Sequence, residues 1–218
     1  MAGKKNKTNK YWNFRLKLGT VLLCVFLIIG FIMPVFCKVS PVEWQSYSRN
    51  MNPTAEHWLG TTGLGQDVFW LLAYSVRNSF LVGMGVAFFA TAIGVFMGLL
   101  AGFMGGWADR IITLLTDSFI VIPSLPILIL ISSMLKGTAP LFYVAVVLVI
   151  FNWPWPARQV RSMALTLKER DFISTAMFSG ESTGKIIWKE IFPFVMNWSL
   201  ANFINTILVA IAAESSLA

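Results

Sequence analysis

An all-α, polytopic membrane helical bundle with five spans is the fold class this sequence predicts, and three observations predict it. Of the 218 residues, 56% are hydrophobic and only 12% charged, about half the charged share of an ordinary soluble domain. Mean hydropathy is +0.70, and several apolar runs are long enough to cross a hydrocarbon core of about 30 Å. The basic residues cluster at the ends of those runs. Lys4, Lys5, Lys7, Lys10, Arg15 and Lys17 precede the first run, while Arg158, Arg161, Lys168, Arg170, Lys185 and Lys189 crowd between the last two. That placement reads the net charge of +7 as a topology signal and not as a nucleic-acid surface.

In chain order, residues 1–17 form a basic cytoplasmic tail. A first membrane helix over 18–37 contains the apolar run Leu18 to Phe36 (LGTVLLCVFLIIGFIMPVF). No small-residue cleavage site follows it, so it is read as an anchor and not a removable signal peptide. Cys24 and Cys37 lie thirteen positions apart on that helix, about 20 Å of rise, too far to bridge. Residues 38–77 form an external loop around NPTAEHWLGTTGLGQDV. His57 stands there without a second ligand candidate and is read as structural. The following VFWLLAYSVRNSF reads as a short helix lying in the membrane interface, with Trp70 and Tyr74 suited to that depth.

Residues 78–218 form a transmembrane core. Its second span runs from about Phe80 to Phe103, with Gly83, Gly85, Ala90, Ala92, Gly94 and Gly98 permitting close helix approach. GGWADR then forms a short turn. A third span from about Ile111 to Leu135 carries Asp117, with Pro123 and Pro126 as kink sites. The fourth runs from about Leu141 to Trp155. A cytoplasmic loop over 156–193 follows, and the fifth span extends from about Phe194 through Ala213. The chain stops at AAESSLA without a flanking charge or loop, so a sixth span is expected to be missing from it. A cytoplasmic N-terminus puts thirteen of the seventeen Lys and Arg inside, leaving Lys38, Arg49, Arg77 and Lys136 outside.

Ionisable groups within spans are costly and mark function. Asp117 and Glu214 are the candidates, with Asn197, Asn202 and Asn205 as polar company. Asp117 is expected to pair with Arg110, either as an interhelix contact or beside a substrate. In the loop, Thr166 to Glu169 has the form of a capping box. It would start a helix that turns Ile173, Ala176 and Met177 to one side. Gly180 can end that helix in the left-handed conformation, and Ser182 can cap a second helix leading to Pro193. Two readings fit this knob: docking into a groove on another protein, or an amphipathic hairpin resting on lipid headgroups.

The same stretch resembles the cytoplasmic signature of ABC importer permeases. The Glu-Ala-Ala triplet, glycine and Leu-Pro of that signature stand here as Ser174-Thr175-Ala176, Gly180 and Ile191-Phe192-Pro193. Further motifs are similar, in the same order, to the dipeptide, oligopeptide and nickel branch. They are HWLGTTGLGQDVF (His57 to Phe69), AGFMGGWADR (Ala101 to Arg110), DSFIVIPSL (Asp117 to Leu125), ARQVRSMALTLKERDF (Ala157 to Phe172) and AAES near Glu214. Ser174 and Thr175 replace the signature glutamate and first alanine. Gln66 and Thr62 replace the usual arginine of the GRD element and the aspartate after LGT.

The resemblance implies a type I ABC importer permease in the bacterial inner membrane, normally with six spans, forming half of a pathway for peptides or a related solute such as a nickel chelate. It implies a second homologous permease, two cytoplasmic ATPases and an external substrate-binding protein as partners, besides membrane lipid. The segment Ser174, Thr175, Ala176, Met177, Phe178, Ser179 and Gly180 would couple to an ATPase, and Asp117, Asn202, Asn205 and Glu214 would line the pathway. The sequence carries no GxxxxGK[ST] loop, so hydrolysis is expected from the partners. No catalytic set, metal or cofactor is expected in the chain itself. A truncated scaffold and an ion-coupled secondary transporter are the competing classes; the second would want paired carboxylates or an internal repeat.

Overall fold

A computed structural model of the chain describes residues 14–37, 40–41, 43–134 and 141–216. Most of the basic tail, Lys38 and Lys136 lie outside the described residues. The chain divides into two compact units, one up to Asn78 and one from Ser79.

In the first unit, helix α1 (Phe14–Leu27) continues through a π-helical turn (Ile28–Ile32) into a 3₁₀ turn (Met33–Phe36). Pro34, which has no N–H to donate, occupies the first turn of that last piece. The loop that follows is held by polar contacts. Thr61 pairs with Asp67 in an isolated antiparallel bridge, and its hydroxyl donates to the Ser48 carbonyl at 2.6 Å while accepting from the Met51 N–H at 2.9 Å. Asp67 is buried and serves three partners. Its Oδ2 lies 2.7 Å from His57 Nδ1, and its Oδ1 accepts from the Phe69 and Trp70 N–H groups at 2.9 and 3.3 Å. It thereby satisfies two of the free donors at the start of α2 (Val68–Met104). Tyr47 stands edge-on to His57, and burial, then the Asp67 charge, then Cys37 hold its phenol above the usual tyrosine range.

Helix α2 runs unbroken for 37 residues, about 55 Å, which corrects the expectation of a separate interfacial helix before the second span. Nothing between Asp67 and Met104 breaks a helix. The chain turns only at Gly105 and Gly106, both left-handed at φ 66° and 60°. Helix α3 (Gly106–Val121) starts there, so the expected GGWADR turn shrinks to its glycines. The third span is indeed broken at Pro123. Ile122 is extended, as the residue before a proline prefers, and α4 (Ser124–Met134) departs at 72° from α3. Pro126 produces no kink of its own. It sits in the first turn of α4, where its missing N–H has no helical acceptor to lose.

Helix α5 (Leu141–Asn152) passes through Trp153 into α6 (Pro154–Lys168). After α7 (Asp171–Phe178) and α8 (Thr183–Ile186), a π-helical turn (Ile187–Ile191) leads into α9 (Phe192–Ser215). Four helical runs are long and apolar enough to cross a membrane: Phe14–Phe36, Val68–Met104, Leu141–Lys168 and Thr183–Ser215. Taken together as one span, the bent α3–α4 pair adds a fifth candidate.

In the second unit, α6 lies against a glycine stripe of α2. A Cβ at Gly94, Gly98 or Gly102 would come within 2.5 Å of Pro156 Cγ, 2.6 Å of the Ala157 carbonyl oxygen or 2.6 Å of Ala164 Cβ. Only glycine at every fourth position allows such backbone approach. Gly83 makes room for the side chains of Ile207 and Ile211 of α9, whereas Gly85 faces open space and Ala92 is exposed. One core joins Val95, Leu99 and Phe103 of α2 to Val160, Ala164, Ile173, Ile186, Ile191 and Val195. A second unites Val82, Val86, Leu128, Leu148 and Ala210.

Candidate functional site

Helix α6 is amphipathic by spacing. Ala157, Val160 and Ala164 are buried at intervals of three and four, the stripe that faces α2. The expected capping box at Thr166 does not form, because α6 runs on through it. The Thr166 hydroxyl instead donates back to the Ser162 carbonyl at 3.1 Å, inside the helix. Only Glu169 and Arg170 separate α6 from α7, with Arg170 extended and no side chain capping the start of α7.

Helix α7 is anchored by Ile173, fully buried in the first core, with Ala176 packed against the same cluster. The other predicted coupling residues face outward to different degrees. Ser174 is half-buried, while Thr175, Met177, Ser179 and Gly180 are exposed, and Phe178 is 92% exposed. A phenyl ring so bare at the end of a helix otherwise bound by its inner face is the outstanding apolar feature of this knob.

The helix ends as its sequence demands. Gly180 is left-handed at φ 76°, its N–H donates to the Met177 carbonyl at 3.0 Å, and the Glu181 N–H donates to the Ala176 carbonyl at 3.2 Å. This nested pair satisfies two terminal carbonyls. Ser182 has the extended backbone of a helix cap, but its side chain makes no capping bond. Glu181 forms an ion pair with Lys185 one turn on.

Charged side chains of α6 reach two other helices. Arg158 pairs with Asp117 of α3. Arg161 engages both oxygens of Asp109, its Nη2 at 2.7 Å from Oδ2. Lys168 Nζ donates to the Phe103 carbonyl at 2.8 Å, near the C-terminus of α2, and lies 5.4 Å from the Phe103 ring centroid. The expected Asp117–Arg110 pair is therefore corrected. Seven residues on one helix place these groups about 10 Å apart along its axis, and Arg110 lies instead over the Trp107 ring. Sequence reasoning assigned the α6 cations to topology and missed Asp109. The legible signal was two arginines three apart, and two aspartates eight apart, each pair near one face of its helix.

The remaining pathway candidates do not converge. Asn202 is buried on the α9 face formed with Val195, Ser199, Thr206 and Ala210, with Nδ2 3.4 Å from the hydroxyls of Thr91 and Thr206. Asn205 and Asn197 are exposed. Glu214 accepts from the Ser79 hydroxyl at 2.6 Å. Between α2 and α9 opens an apolar groove of about 670 Å³, walled by Phe88, Phe96, Trp188, Phe192 and Phe203, with Thr91 and Ser199 among its lining. Among the described residues no three His, Cys, Asp or Glu side chains gather as a metal site would require.

Residues 94–218 match the model of the family described as binding-protein-dependent transport system inner membrane component. The chain is 32% identical to the oligopeptide transport system permease protein OppC of Mycobacterium tuberculosis, over 89% of this chain and 67% of that protein. It is 32% identical to the dipeptide transport system permease protein DppC of Bacillus subtilis, over 99% of this chain and 66% of the relative. The DppC protein of Alkalihalophilus pseudofirmus is also 32% identical, over 81% and 57% respectively.

Proposed function

Since this chain belongs to the binding-protein-dependent transport system inner membrane component family, we propose that it is the permease subunit of an ATP-driven ABC importer that carries peptides. The permease class follows from the family; the peptide cargo rests on the names of its oligopeptide and dipeptide relatives. In this reading the chain contributes half of the pathway beside a second, homologous permease. Two cytoplasmic ATPases drive it, and an external binding protein delivers the substrate. The N-terminus is cytoplasmic, consistent with the distribution of Lys and Arg.

The observation that carries the coupling role is the construction of α7. Its inner face is tied into the core through Ile173 and its tip offers Phe178. A push delivered to that tip is not absorbed locally, because α7 and α6 share one packed cluster. ATP-driven closure of the ATPases would thus displace α6 and the spans packed on it, exposing the pathway alternately to each side. Asn202, Asn205, Glu214 and Asp117 remain the candidates for polar groups along that route.

The test is made in the native cells. Deleting this chain should abolish uptake of labelled di- and oligopeptides, and a plasmid copy should restore it. Affinity purification of the tagged chain from solubilised membranes should recover ATPase subunits with it. Undiminished peptide uptake in the deletion strain, with no ATPase recovered, would refute the proposal.

A further inference from the structure

Helix α3 is attached to the rest of its unit by both apolar and ionic contacts. Among its residues only Ile112 and Thr116 are buried, while Trp107, Leu114, Leu115 and Val121 are exposed. Phe119 adds an apolar contact, packed against the cluster of Ala90, Trp153 and Ala157 with its ring 6.1 Å from that of Trp153. Its partner α6 is held by close packing, with the glycine stripe of α2 on one face and α7 two residues beyond its end. Two ion pairs add to that apolar contact between α3 and α6.

The geometry of that join is specific. The earlier arginine, Arg158, meets the later aspartate, Asp117, and the later arginine, Arg161, meets the earlier aspartate, Asp109. This order is what two antiparallel helices require. The two pairs are unequal. Arg158 and Asp117 make one contact with side chains 46% and 49% exposed, whereas Arg161 and Asp109 are 31% and 21% exposed. Arg161 presents its guanidinium fork to both carboxylate oxygens, and the Thr113 hydroxyl donates to Asp109 Oδ1 at 3.3 Å. A two-point fork fixes orientation as well as distance. At the far end of α3, the break at Pro123 and the 72° bend into α4 supply a joint where rotation of α3 can be taken up.

We propose that Arg161 and Asp109 are positioning residues for transport: their forked ion pair locks α3 to α6, so that motion of α7 is passed to the broken third span. The proposal rests on the permease reading given above. Arg158–Asp117 is a weaker companion, since half-exposed single-contact pairs contribute little. Lys168, bonded to the end of α2, performs the analogous tie on the other side of α6. Contact with the transported solute is not part of the role.

The test uses Asp109→Asn, Arg161→Gln, Arg161→Lys and the exchanged double variant Asp109→Arg with Arg161→Asp, each in the complete transporter purified from the native cells and returned to liposomes. Peptide uptake is counted per ATP hydrolysed, and complex abundance is measured separately. In Asp109→Asn and Arg161→Gln the ratio should fall about tenfold, within the range of measured couplings between sites, with abundance and ATP hydrolysis near wild type. The exchanged pair should recover much of it, Arg161→Lys only part, and Asp117→Asn should lower it by about twofold. An unchanged ratio overturns the proposal, as does a loss of uptake that merely tracks abundance.

A second measurement does not need the substrate. Spin labels at Leu115→Cys and Asp171→Cys, in a background with Cys24→Ser and Cys37→Ser, report the α3–α7 distance with and without ATP trapped in the ATPases. That distance should hold constant with the pair intact and spread or shift with Asp109→Asn. If the wild-type transporter takes up no peptide, the cargo assignment fails alone and this distance still decides the pair. No change with Asp109→Asn would refute the lock.

Discussion

Asp67 occupies the aspartate position of a motif that was legible as a resemblance, yet its work was not readable from spacing. One oxygen meets His57 and the other caps α2, so the motif joins the loop to the start of the long helix. Glycine is the other residue whose meaning depends on the neighbour. Of the small residues singled out on the second span, Gly94 and Gly98 are close-approach positions, while Gly85 has nothing within 4 Å. No property of the residue distinguishes them; only the helix opposite does. Gly98→Ala should therefore destabilise the purified protein, since its methyl would stand 2.6 Å from the Ala157 carbonyl oxygen, an overpacking cost of about 1–3 kcal/mol. Gly85→Ala should be neutral or slightly stabilising, because it only restricts the unfolded chain. Thermal unfolding in detergent separates them, and equal midpoints would contradict the close packing of α2 on α6.

At the scale of elements, apolar length located the spans, and glycine and proline located most of the breaks. The failures have one physical cause: a local signal competes with continuation of a helix already under way. Thr166 has the chemistry of a cap, but α6 is held on course by Val160 and Ala164 in the core, so the hydroxyl bonds backward instead. The same continuation carried α2 through the expected boundary near Ser79. Gly180 succeeded because a left-handed residue cannot be continued through. No atom lies within 4 Å of the Cβ that Gly180 lacks, so the cost of Gly180→Val is backbone strain, about 1–2 kcal/mol. That substitution should tilt or fray the end of α7 and lower recovery of the ATPase with the tagged chain, while Gly180→Asn, more at ease in that conformation, should keep it. Equal recovery for both would detach α7 from ATPase docking.

For the whole molecule, the all-helical class and the order of the apolar runs were readable because burial in lipid imposes a length and a composition on each. The ion pairs between α3 and α6 were not, because the same arginines also satisfy the topology rule and that simpler account exhausted them. Both roles can hold together: a cation at the membrane boundary marks the cytoplasmic side whether or not it also pairs. The two roles make different demands on orientation, which depends on all the loops at once. If thirteen of seventeen basic residues lie inside, the loop around Leu64 is external and the knob around Ser182 is cytoplasmic. Both positions are exposed, so each can report its side. In a background carrying Cys24→Ser and Cys37→Ser, Leu64→Cys should react with a membrane-impermeant maleimide on intact spheroplasts. Ser182→Cys should react only after the membrane is opened. The reverse pattern would turn the molecule over and place α7 beyond the reach of any cytoplasmic ATPase. Labelling of both without permeabilisation would remove the odd number of crossings that separates them in this reading.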